Sequence, residues 1–117
     1  MIKVYIYAKC STCRNAIQWL EENGIPHESH PIRDTPPTIK ELKHGLKHLG
    51  DLKKLFNTSG MDYRAMNMKE KLPTLSEAEA LKLLNSNGNL VKRPFVIGKD
   101  FALTGFKADQ WQKTLGS

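Results

Sequence analysis

The chain has 117 residues, 39% hydrophobic and 26% charged, with a formal net charge of +6. That length allows one ordinary core and excludes two comfortable domains, and no apolar run approaches the roughly 20 residues of a membrane span. The lysines are scattered from Lys3 to Lys113 with no interleaved aromatics, so neither a membrane nor direct contact with nucleic acid is expected.

Residues 2 to 7 are rich in β-branched and tyrosine side chains (Ile2, Val4, Tyr5, Ile6, Tyr7), which predicts a buried strand. This opening run is too short for a signal-peptide core and lacks a cleavage site after it, so a cytoplasmic address is expected. Next come Cys10 and Cys13, then Ala16, Ile17 and Leu20 at helical spacing with Trp19 on the same face, closed by Gly24 and Pro26. The spacing predicts a helix beginning near Thr12. "PHESHPIRD" reads as a short extended segment ending at Asp34, completing a right-handed β-α-β unit with parallel strands.

"DTPP" separates this unit from "TIKELKHGLKHLG", where Thr38 and Glu41 form a capping box and Ile39, Leu42, Leu46 and Leu49 make one apolar stripe. Short helical pieces are expected at "LKKLF" and around "YRAMNMKEKL". A second capping box, Ser76 with Glu79, opens another helix with Gly88 as its end signal. "RPFVI" and "FALT" around the turn "GKD" predict a hairpin, and "KADQWQKTL" a last helix. The order β-α-β, helical block, β-β-α implies a single α/β domain over 1–117 with a small mixed sheet. Strands and cysteines fall in 1–34, a helical insertion in 38–87, and the hairpin and last helix in 91–117.

Two cysteines exclude a disulfide scaffold. Zinc is a weak reading. His44 and His48 share a helical face, but 30 residues lie between Cys13 and His44, against the roughly 12 to 15 of finger-type sites. Half-buried or exposed helix residues are the simpler account of both histidines, and no metal is expected. A reactive pair fits better, because the attacking species in thiol chemistry is the thiolate. Placed just before the first turn of a helix, Cys10 would face unpaired N–H groups and the positive end of the dipole, with Lys9 and Arg14 adding charge. Cys10 is then the nucleophile, and Cys13, one turn on, resolves the mixed disulfide.

"YAKCSTCRNAIQWLEENGI", "FNTSGMDYR" and "VKRPFVIGKDFALTGFKADQW" together resemble the ArsC/Spx family, the glutaredoxin-like arsenate reductases and Spx-type regulators. The resemblance covers essentially the whole chain and implies a thioredoxin fold with a helical insertion. It also implies that Cys10 is the nucleophile, that Arg64 and Arg93 hold an oxyanion, and that Pro94 is the cis-proline facing the cysteine motif. A planar guanidinium suits a tetrahedral oxyanion, and Arg14 would add to the same charge. This chain departs from the glutathione-dependent reductases in two ways. They carry serine where it has Cys13, and it offers Lys107, a point charge, where they have a third arginine.

Three activities follow from the resemblance. The first is thiol-disulfide oxidoreduction through a Cys10/Cys13 dithiol, acting on a disulfide or oxyanion, with no bound cofactor and with glutathione or a protein dithiol as reductant. The second is an Spx-like redox sensor that binds the C-terminal domain of the RNA polymerase α subunit, with Gly50 in the region of that contact or simply ending a helix. The third is arsenate reduction.

Overall fold

The computed structural model describes residues 1–116. Ile2–Ile6 form β1, and His27–Pro31 form β2 parallel to it, joined by α1, Ser11–Glu22. Gly24, with φ +63°, turns the chain out of α1 in the left-handed conformation that favours glycine. The last two strands, β3 (Phe95–Ile97) and β4 (Ala102–Thr104), form the expected hairpin, and β3 returns antiparallel to β1. The four-stranded sheet has the order β2-β1-β3-β4. Between β2 and β3 lies the helical insertion: α2 (Ile39–Leu49), α3 (Met61–Ala65), α4 (Met68–Lys71) and α5 (Glu77–Ser86), with 3-10 turns between α2 and α3 and between α4 and α5. The chain closes with α6, Ala108–Leu115. This is the thioredoxin-like arrangement with a helical insertion that the family resemblance implies. Among the described residues no helix is long and apolar enough to cross a membrane.

Strand alternation sorts the core into two layers. Val4, Val96 and Leu103 point to one face, where Ala16 and Leu20 of α1 and Trp111 of α6 cover them. Tyr5, Phe95 and Ala102 point to the other, where they meet Leu42, Leu55, Phe56, Leu81 and Leu84 of the insertion. Gly45 permits the close approach of α2, because a Cβ there would stand 2.8 Å from the ring of Phe95.

Both capping boxes form as expected, Thr38 with Glu41 and Ser76 with Glu79. Glu41 also accepts a hydrogen bond from the Tyr5 hydroxyl at 2.6 Å and pairs with Lys3 at 3.1 Å, fastening α2 to β1. Gly50 ends α2 with φ +80° and its N–H on the Leu46 carbonyl, which gives it a conformational role of its own. Gly88 is different from expectation. The helix before it stops at Ser86 and Asn87, and Gly88 starts a 3-10 turn. Its requirement is space, since a Cβ would lie 1.8 Å from the carbonyl oxygen of Ile32.

Candidate thiol site

The site begins where β1 ends. The Cys10 N–H donates to the Tyr7 carbonyl at 2.9 Å, so the chain turns sharply after the strand. Cys10 becomes the N-cap of α1, in extended conformation (φ −87°, ψ 117°), with its own carbonyl accepting the Arg14 N–H at 3.1 Å. No side-chain oxygen caps this helix, so its free N–H groups are left for the sulfur.

Both cysteines are free thiols, Cys10 half-buried and Cys13 only 1% exposed. Burial alone would raise the Cys10 thiol. It is outweighed by the Cys13 backbone N–H, the Cys13 thiol, and the N–H groups and charge of Arg93, so that the pKa falls below the ordinary value. Burial wins at Cys13, which is pushed up to about 12, with the negative charge of its neighbour adding to the rise. One thiol is therefore poised to ionise while the other keeps its proton.

Arg93, which acts on the sulfur, precedes Pro94; the peptide bond between them is cis and Pro94 is buried. An isolated antiparallel bridge between Phe56 and Val91 ties the insertion to the segment just before this turn. The Arg93 guanidinium stands 5.0 Å from the centroid of the Tyr7 ring, and that of Arg33 stands 4.8 Å from it. Arg33 also donates to the Tyr7 hydroxyl at 2.8 Å. Asp62 of α3 lies in the same region. Its Oδ2 accepts from Asn87 at 3.0 Å and Asn89 at 3.2 Å, which, with the charges of Arg33 and Arg93, holds its carboxyl below the usual range.

The other residues singled out by sequence lie apart from this group. Arg14 is exposed on the first turn of α1, and Arg64 is exposed on α3. Among the described residues neither side chain makes an ion pair, and neither acts on Cys10. The charge on the sulfur comes from Arg93 rather than from Lys9 or Arg14. Lys107 is exposed at the N-cap of α6. His44 Nε2 sits 2.8 Å from the Gly98 carbonyl, tying α2 to the hairpin turn, and no group of three or more His, Cys, Asp or Glu is placed to hold a metal among the described residues. Arg33, Asp62, Asn87 and Asn89 were not foreseen. Asp62 lies within "FNTSGMDYR" and Arg33 within "PHESHPIRD", but nothing local to either stretch assigns those two side chains a role.

The description "ArsC family" fits residues 5–114 of this chain. The chain belongs to the ArsC family. Within that family it is 49% identical over 110 residues to the uncharacterised protein YusI of Bacillus subtilis, covering 93% of each. It is 30% identical to the global transcriptional regulator Spx of Enterococcus faecalis, covering 98% of this chain and 86% of the regulator. Among solved structures, an ArsC-family related protein from Bacteroides fragilis superposes with a TM-score of 0.90 at 43% identity, covering 96% of this chain and 95% of that one. A transcriptional regulator is thus among the relatives of this chain.

Proposed function

We propose that the protein is a thiol-disulfide oxidoreductase in which Cys10 attacks and Cys13 resolves. The carrying observation is the opposite displacement of two adjacent thiols, one lowered by Arg93 and a helix N–H, the other raised to about 12 by burial. The Cys10 thiolate attacks one sulfur of a substrate disulfide, forming a mixed disulfide and expelling the other half as a thiolate. Cys13 then attacks the Cys10 sulfur, passing its proton to the departing thiolate. The protein is left with a Cys10–Cys13 disulfide, and the substrate has gained two electrons. Cys13 is activated only as it reacts, so the resting pair carries a single negative charge. Glutathione or a protein dithiol would return the disulfide to the dithiol.

Iodoacetamide alkylation followed against pH tests this. Wild type should react at pH 6 well over tenfold faster than a free cysteine. Cys10→Ser should lose the fast reaction. Cys13→Ser, whose hydroxyl can still donate to the sulfur, should keep it and should trap a stable mixed disulfide. Alkylation of wild type at the rate of free cysteine would overturn the proposal.

The relationship to Spx favours a second reading, in which the same disulfide is a sensor that alters binding to the RNA polymerase α subunit. Retention on the α C-terminal domain that changes between oxidised and reduced protein supports the sensor. Turnover without retention supports the enzyme. Arsenate reduction would survive Cys13→Ser and fail in Cys10→Ser.

A further inference from the structure

A recess of about 210 Å³ has a lining that includes Tyr7, Arg33, Met61, Asp62, Asn89 and Arg93. It is sized for a headgroup rather than a whole cofactor. Arg93 belongs both to this lining and to the surroundings of Cys10, so the recess and the attacking sulfur share one guanidinium.

The charges of the lining define the occupant. Each guanidinium has five N–H donors, and Arg33 spends one on the Tyr7 hydroxyl, which with the ring beneath it fixes the group in place. Asp62 uses Oδ2 for Asn87 and Asn89, and among the described residues Oδ1 accepts no hydrogen bond. Among the described residues no ion pair within 4.0 Å joins Asp62 to either arginine. The opposite charges therefore share a cavity without contact. A simple anion would leave Asp62 Oδ1 without a partner, and a simple cation would face two arginines. A molecule carrying carboxylate and ammonium on one carbon satisfies all three groups. Met61, 85% exposed at the rim, offers an apolar surface to the methylene beyond them.

We propose that this recess binds the α-amino carboxylate end of a small cysteine-type thiol or its disulfide, carboxylate on Arg33 and Arg93 and ammonium on Asp62 Oδ1, delivering its sulfur to Cys10. The inference rests on the reading of Cys10 as the attacking sulfur for its catalytic consequence, but not for binding. The bound half of the disulfide becomes joined to Cys10 while the other half leaves as a thiolate, as in the cycle above.

Two measurements test it. S-methylcysteine, which has the headgroup but no reactive sulfur, should shift the side-chain NMR signals of Arg33, Asn87 and Asn89 in the wild-type protein. Its desamino and decarboxy analogues should bind about tenfold more weakly, the scale of one charge-assisted hydrogen bond. In kinetics, cystine should react with wild type about tenfold faster than dithiodipropionate or cystamine. Asp62→Asn should erase the preference over dithiodipropionate, and Arg33→Gln the preference over cystamine. Glutathione disulfide carries the same headgroup farther from its sulfur, so its rate relative to cystine tells whether the free amino acid or the tripeptide is the better fit. Equal rates for all the disulfides together with an unresponsive S-methylcysteine titration would overturn the inference. Binding of S-methylcysteine with no disulfide reacting would uphold the recess and overturn the redox reading instead.

Discussion

The two faces of the sheet contribute different things. The face under α1 and α6 is small, built on Val4, Ala16, Leu20, Val96, Leu103 and Trp111, and its helix α1 carries both sulfurs. The face under the insertion is larger, and its helices and turns bring Asp62, Asn87 and Asn89 to the same end of the molecule. Arg93, placed by the turn into β3, belongs to the seam between them. Reactivity and charge are thus assembled from separate layers, and each layer can be disturbed without deleting a group at the sulfur.

The largest effect is expected on the insertion side. In Gly88→Ala the new Cβ would fall on the Ile32 carbonyl, and backbone rather than a side chain must yield. A loss of about 5 kcal/mol or more is expected in urea unfolding, and any folded fraction should lose the Asp62–Asn87 contact. Next is Trp111→Ala, which empties the α1/α6 face. Trp111 is fully buried, packs edge-on against Phe106 and Trp19, and donates to the Gly105 carbonyl. It should cost about 3–5 kcal/mol, and the fast alkylation of Cys10 should weaken as α1 loosens. Gly88→Ala, by contrast, should affect ligand recognition more than thiol reactivity. If both variants moved alkylation equally, the division between the faces would be wrong.

The smallest effect is expected at Glu41, on the insertion face and away from the sulfur. Burial opposes its ionisation. The Tyr5 hydroxyl, the Thr38 N–H and Lys3 outweigh that and hold its carboxyl below the usual value. A depressed carboxylate contributes stability above its unfolded pKa and loses it as pH falls through the folded one. Glu41→Ala should therefore cost about 1–2 kcal/mol at pH 7, and the gap from wild type should close on acidification. Alkylation of Cys10 should not change.

Local patterns made much of this fold legible. The two capping boxes, the apolar stripe of α2, the hairpin and the placement of Cys10 at a helix start all follow from neighbours within a few residues. Gly88 does follow the end of α5, but the close approach of Ile32 that requires it comes from a segment distant in sequence and leaves no local pattern. Likewise, the charge expected from Lys9 and Arg14 is supplied by Arg93. Proximity along the chain is a poor guide once α1 directs those side chains to solvent. Arg33 carried no signal at all, because its importance arises only when the Tyr7 ring comes beneath it.

The open margin of the sheet at β2 has a colloidal consequence. Its residues are His27, Glu28, Ser29, His30 and Pro31, with Glu28 and His30 paired at 2.7 Å. Polar groups and a terminal proline give an incoming strand little to zip onto. Ribbon-like stacking of one copy on another is thereby discouraged, and crowded solutions of the protein are guarded against gelling along that rim.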